Sequence, residues 1–166
     1  MIAVTDTGQK GSDDMGILME AKNEQAAAKD VAVGVMGLGE LGLDAMSALR
    51  WIGFDVAGWS RTPKKIAGIR VFSGEAELRP FLASSQILVC VLPLTNATQG
   101  ILNEKTLSLM PKGSYLINMA RGAHVVDEDL IKILDSGHLG GAMLDVFHKE
   151  PLDSGHPFWA HPKIIV

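Results

Sequence analysis

The chain has little cysteine, few aromatic residues and no long apolar run. Cys90 is the only cysteine among 166 residues, so no internal disulfide can form, and a reducing, cytoplasmic setting is the simplest expectation. It sits inside "QILVCVL", where a free thiol ordinarily packs as a small hydrophobe. No stretch approaches the roughly 20 apolar residues of a transmembrane helix. The N-terminus has no basic segment ahead of an apolar one, which argues against a secretory leader. Excess positive charge is lacking too: the formal charge is −4, so neither nucleic acid nor an anionic membrane is an expected partner. The five histidines (His124, His138, His148, His156 and His161) offer no compact ligand set, so no metal site is expected.

What is present suits one globular domain with a sound core. Residues 1–30 stand apart: "GQKGSDDMG" is polar and turn-rich, and "ILMEAKNEQAAAKD" has the pattern of one helix with a weak apolar face. They read as a linker or tail. From Val31 onward the pattern is regular. The runs "VAVGVM", "FDVAGW", "IRVF", "QILVCVL", "SYLINM", "GGAMLDVF" and "KIIV" have strand character. Helical spacing separates several of them, at Leu41–Leu49, around Glu75–Leu82, and after Asp127, which is placed to cap a helix that Gly137 ends. Apolar strands alternating with helices predict an α/β fold, a doubly wound parallel sheet of Rossmann type over residues 31–166, covered on both faces. Ligands of such sheets bind beyond the carboxyl ends of the strands, where strand order reverses.

The first strand tip reads "VAVGVMGLGELG", which places Gly37, Gly39 and Gly42 in a G-x-G-x-x-G turn between strand and helix. Gly37 suits the tight turn, Gly39 lets a pyrophosphate approach the backbone, and Gly42 allows the helix to pack closely on the strand. Leu38, Glu40 and Leu41 complete the cradle, whose helix end favours an anion. The second tip lacks the acid that usually holds a ribose 2′-hydroxyl about 20 residues on. It carries "GWSRTPKK" instead, with Trp59, Ser60 and Arg61 at the tip. A guanidinium can make charge-assisted bonds to a 2′-phosphate that a carboxylate would repel. NADP(H) is therefore the expected cofactor, held by Arg61 and Ser60, with NAD(H) as the alternative if the basic turn is merely solvated. The fourth tip, Leu92, Pro93, Leu94 and Thr95, is placed to face the cofactor.

The fifth tip, "INMARGAHVVDEDL", and the sixth, "GAMLDVFHKEP", complete a series that resembles the D-isomer-specific 2-hydroxyacid dehydrogenases. That family carries G-x-G-x-x-G, "LPLT..T.GI", "N.ARG..V.(D/E)" and "G(A).LDVF..EP" in this order. The resemblance covers residues 31–166, and "WSR" with "HPFWAHPKI" is most similar to the glyoxylate/hydroxypyruvate reductase A group. It implies that Arg121, following Met119 and Ala120, grips the substrate carboxylate, that Glu150 pairs with a catalytic histidine, and that Asp145 lies near the nicotinamide. A buried acid bonded to backbone is the other reading of Asp145. The resemblance further implies a small 2-oxo or 2-hydroxy acid as substrate and a homodimer formed through the cofactor domain.

The family's histidine belongs to a "TPH" sequence beyond the seventh strand, and its substrate domain lies largely ahead of the cofactor domain. Neither is found in these 166 residues, so the expectation is a cofactor domain cut from a two-domain reductase, inactive alone. Three functions remain in contention: that reductase, a module that binds dinucleotide without turnover, and a beta-hydroxyacid dehydrogenase, which shares "GLG..G" but lacks the paired "ARG" and "DVF..EP".

Overall fold

The computed structural model describes residues 27–166, so the reading of 1–26 as a linker or helix lies outside the described residues. Ala28–Asp30 form a short 3-10 turn ahead of the sheet. Seven strands follow: β1 (Ala32–Met36), β2 (Asp55–Ser60), β3 (Arg70–Ser73), β4 (Ile87–Cys90), β5 (Ser114–Asn118), β6 (Leu139–Leu144) and β7 (Ile164–Ile165). They form one sheet in the order β3-β2-β1-β4-β5-β6-β7, and every pair is parallel. Strand order reverses between β1 and β4, the place where a ligand crevice opens in such sheets.

The helices are α1 (Glu40–Ile52), α2 (Leu78–Ala83), α3 (Glu104–Leu107) and α4 (Asp127–Asp135). α1 ends where the sequence places a stop, at Gly53, whose φ of 109° is left-handed and whose N–H bonds back to Leu49 and Arg50. Alternation along β1 divides the core. Val33 and Val35 join Leu38, Met46 and Val56 beneath α1. Met36 joins the larger cluster on the opposite face, with Phe81, Leu88, Leu116, Leu134 and Leu144. Each such fully buried side chain contributes about 1.5–3 kcal/mol of hydrophobic stabilisation. Gly34 leaves room for α2: a Cβ there would press on the Phe81 ring and the Ser85 side chain.

Three expectations need correction. Among the described residues the sheet is not covered on both faces throughout: on the α1 side, Tyr115 is 52% exposed, and Met143 and Ile165 beside it are also exposed. Register puts these three on one face, through Tyr115↔Gly141, Ile117↔Met143 and Met143↔Ile165, and α1 lies over the other half of the sheet. Asp127 is not a cap. It is the first residue of α4; the N-cap is Val126, which makes no side-chain bond, and Asp127, Glu128 and Asp129 act on the helix dipole from the first turn. Finally, β6 stops at Leu144, so Asp145 stands exposed at the strand tip. The reading of it as a buried acid fails, because the carboxylate reaches water without crossing the core.

Candidate functional site

Parallel pairing gathers all the ligand-type tips on one edge of the sheet. The Gly37 turn ends β1, Ser60 ends β2, Pro93 follows β4 and Arg121 follows β5. Since β4 pairs with both β1 and β5, the glycine turn and the arginine lie two inter-strand spacings apart, about 10 Å.

At the first tip Gly37 has φ 108°, and a Cβ there would also lie 2.7 Å from the Val91 carbonyl oxygen, so two constraints demand glycine. Gly42 is closed differently: its Cβ would collide with the Gly37 carbonyl, because α1 lies directly on the turn. Gly39 is the contrast. Nothing lies within 4 Å of a Cβ there, so its glycine answers no internal contact and leaves a gap beside the helix end. α1 begins at Glu40 with no side-chain cap, which leaves first-turn N–H groups for an anion.

A cleft of about 260 Å3 opens beside this turn, and Gly37, Leu38, Gly39, Ser60, Arg61, Thr62, Lys64, Leu92, Pro93, Thr95 and Thr98 line it. Part of the expected cofactor set is thus gathered round one space. Trp59 lines not this cleft but an adjoining one, with Arg61, Glu75, Leu78, Ala97, Thr98 and Ile101, which makes Arg61 and Thr98 the wall shared by both. Trp59 is buried, its indole N–H donating to the Gly74 carbonyl at 3.0 Å. The hydroxyl of Ser60 donates to the Thr62 carbonyl at 2.6 Å, so it must turn from that carbonyl to donate to a phosphate. Glu40, Leu41, Gly42, Leu94, Met119, Ala120, Arg121 and Asp145 do not line the first cleft. Leu41, Leu94 and Met119 are exposed.

Three residues of this cleft, Thr62, Lys64 and Thr98, stand outside the expected cofactor set. Lys64 donates to the Leu38 carbonyl at 2.6 Å, bridging the basic arm to the glycine turn; its place in "SRTPKK" was the available signal. Thr98 is buried and donates to the Pro93 carbonyl at 2.8 Å while accepting from the Thr95 N–H at 2.9 Å. It closes the turn after β4, and its place as the second threonine of "LPLT..T.GI" was the available signal.

The arginine tip is built by Asn118. Fully buried, Asn118 accepts from the Ala120 N–H at 3.2 Å and donates to the Arg121 carbonyl at 3.1 Å. This clamps the backbone of the tip while leaving the Arg121 side chain exposed, its Nη1 donating to the Ala120 carbonyl at 2.6 Å. Gly122 is required sterically, since a Cβ would fall into the backbone of Phe147 and His148 as the segment after β6 crosses above. That segment carries Glu150, whose Oε1 accepts from the Phe147 N–H at 3.0 Å. None of the five histidines lies in an ion pair with Glu150. His148 and His156 instead face Asp127, with Nε2 to carboxylate oxygen distances of 3.6 and 3.5 Å, and His161 faces Asp135 at 3.3 Å. Burial pushes the Asp127 carboxyl above its ordinary value, while the two imidazoles pull the other way. Burial also pushes the Cys90 thiol up to about 11, so it stays protonated and inert. Among the described residues no group of His, Cys, Asp and Glu could hold a metal ion, and no helix is long and apolar enough to cross a membrane.

A parallel sheet with a glycine cradle at its switch point and an arginine two strands away defines a nucleotide-dependent dehydrogenase domain. The chain belongs to the D-isomer specific 2-hydroxyacid dehydrogenase family, NAD binding domain, whose model matches residues 8–166. Among its relatives is glyoxylate/hydroxypyruvate reductase A of Photorhabdus laumondii subsp. laumondii, 50% identical over 138 residues, which are 83% of this chain and 44% of that protein. Solved structures agree. The D-isomer specific 2-hydroxyacid dehydrogenase from Xanthobacter autotrophicus Py2, in complex with NADPH and MES, superposes with a TM-score of 0.82 at 43% identity, over 92% of this chain and 50% of that one. The NADPH-dependent glyoxylate/hydroxypyruvate reductase from Sinorhizobium meliloti, in complex with NADP and sulfate, gives 0.81 at 39% identity, over 91% and 50%. The chain thus spans about half the length of the relatives it matches.

Proposed function

We propose that this chain is the NADP(H)-binding domain of an oxidoreductase that reduces small 2-oxo acids, glyoxylate or hydroxypyruvate, to 2-hydroxy acids. The observation that carries the reading is the joint placement of an open glycine cradle, a basic arm and an exposed arginine along one sheet edge. Gly39 fits the cofactor because the space a Cβ would fill is free. Arg61 and Lys64 line the same cleft and supply cationic partners for a 2′-phosphate, to which the Ser60 hydroxyl donates by turning away from the Thr62 carbonyl. A bound nicotinamide cofactor supplies the hydride. Arg121 grips the substrate carboxylate through its planar fork of donors and withdraws charge from the adjacent carbonyl. Glu150, fixed by the Phe147 N–H, raises the basicity of a partner imidazole and orients it for proton transfer. Met119, Ala120, Leu94 and Asp145 flank the nicotinamide end in this reading, and Leu38, Glu40 and Leu41 the diphosphate end. A homodimer in the cytoplasm belongs to the same proposal; the protonated, buried Cys90 suits a reducing compartment.

The test compares NADPH and NADH binding to the chain and to its Arg61→Ala variant. NADPH should bind the wild type more tightly. The variant should lose roughly 10- to 100-fold in NADPH affinity, as expected for charge-assisted bonds, with NADH affinity unchanged. Equal affinities for the two cofactors in the wild type would refute the NADP(H) assignment. A second reading, binding without turnover by these 166 residues, is favoured by the absence of any histidine ion-paired with Glu150. Steady NADPH oxidation with glyoxylate by the pure chain would overturn it.

A further inference from the structure

Deepening that reading, and resting on it for the role of Glu150, we infer that Asp127 is a positioning residue. It closes the strap of residues 148–156 onto the arginine loop and so fixes Glu150 relative to Arg121. The two ends of the strap meet at this one carboxylate: His148 Nε2 lies 3.6 Å from Oδ1, and His156 Nε2 lies 3.5 Å from Oδ2. His156 Nδ1 accepts from the Phe158 N–H at 3.3 Å, so the neutral ring carries its proton on Nε2 and points it at Asp127. The Nε2–H of His148 donates to the Val125 carbonyl at 2.8 Å, and Asp127 faces that ring as a charge. The strap also starts where the chain crosses Gly122. Both ends therefore rest on residues 122–127, the loop that Arg121 heads.

Little else directs the strap. Among the described residues no backbone hydrogen bond joins residues 146–156 to any residue outside 146–160. The other polar side chains of the strap bond within the segment, Lys149 to Asp153 at 2.9 Å and Glu150 to the Phe147 N–H at 3.0 Å. Phe147 and Leu152 pack on the core, but apolar contact is non-directional and leaves orientation to the polar ends. Helix α4 does not explain the carboxylate either. Among the described residues the side-chain partners of Asp127 are the two histidines, while Glu128 and Asp129 already serve the helix dipole. Burial works against the ionised form of Asp127, so stability alone does not account for an acid at this position. Catalysis needs Arg121 and Glu150 in one fixed geometry, since a displacement of about 1 Å can cost two orders of magnitude in rate. Closing the strap on the arginine loop gives the two residues a common base.

Amide hydrogen exchange of the whole chain reads the strap directly, because Glu150 holds the Phe147 N–H. Asp127→Ala should speed exchange at Phe147 about 3- to 10-fold, the equivalent of one hydrogen bond. His156→Phe, which keeps a ring against Phe158 but has no N–H, should do the same. Asp127→Asn keeps an acceptor for His156 and should hold Phe147 within about twofold of the wild type. The Ala–Phe double variant should exchange no faster than either single variant, as directly coupled residues do. At the start of α4 the Leu130 N–H bonds to the Val126 carbonyl at 3.0 Å; its exchange, like that of the β1 amides, should stay within about twofold throughout. A folded Asp127→Ala chain with wild-type exchange at Phe147 overturns the inference, and so does an Asn variant as fast as the Ala variant. Exchange at Leu130 that rises as much as at Phe147 also overturns it, since Asp127 then serves only its own helix. Glu150→Ala is the separating control and should remove the protection of Phe147. If it does not, or if Phe147 is unprotected in the wild type, the placement of Glu150 is itself wrong and the role of Asp127 falls with it. If Glu150→Ala removes the protection while the Asp127 variants do not, only the inference about Asp127 fails.

Discussion

Two glycines that look alike in the sequence have opposite consequences when a methyl group is added. At Gly39 a Cβ meets nothing within 4 Å, so Gly39→Ala should leave the melting temperature within a degree or two of wild type. The methyl would point into the cradle, and NADPH affinity should fall at least about tenfold because a pyrophosphate can no longer reach the backbone. At Gly122 the same methyl enters the backbone of Phe147 and His148. Gly122→Ala should therefore destabilise the fold by about 1–3 kcal/mol, as overpacking does, which a urea titration would detect. Glycine spacing made Gly37, Gly39 and Gly42 legible, since their motif has a local mechanism. Gly122 was legible only through family resemblance, because its constraint is a segment some 25 residues further along the chain. Asn118 and Thr98 stand in the family motifs as well, but their roles were not legible: each acts by bonding to a loop whose path no local pattern reveals. The Cys90 thiol, held up to about 11, should resist iodoacetamide near pH 8 in the native chain and react once unfolded.

At the scale of elements, all seven apolar runs became strands, though their ends were trimmed. "GGAMLDVF" stops at Leu144 and "QILVCVL" at Cys90, since β-pairing ends before apolar character does. The start of α4 shifted by one residue because Val126, an unlikely N-cap by type, takes that place through its extended backbone. This shift puts Asp127 between His148 and His156, partly buried. With its folded value raised above 3.8, the folded chain holds that proton more tightly than the unfolded chain does. The contribution favours folding at low pH and is lost as pH climbs through the raised value. Relative to Asp127→Asn, the wild type should lose stability as pH rises above 3.8 and through the raised value. Urea midpoints for the pair across that range would show it; a difference that stays flat or grows would contradict the burial of this carboxyl.

Over the whole molecule, the fold class followed from alternating apolar runs and helical spacing, whereas the order of strands did not. Periodicity says which segments are strands, and only the observed pairing of β1 with both β2 and β4 establishes the switch point. Ligand binding at that point should tighten the domain as a unit. Saturation at about 100 times Kd stabilises by about 2.7 kcal/mol, which for a chain of this size raises Tm by roughly 5–10 °C. NADH at the same concentration should raise it less.

The crossing of Phe147 and His148 over Gly122 reaches beyond stability. The loop bearing the guanidinium and the strap bearing Glu150 touch there without a side chain between them, so neither can be rerouted by mutation alone. An inheritable change of substrate that moved one would have to move the other in the same step. Variation in acid preference is therefore easier to reach through side chains facing the crevice than through the two loops themselves.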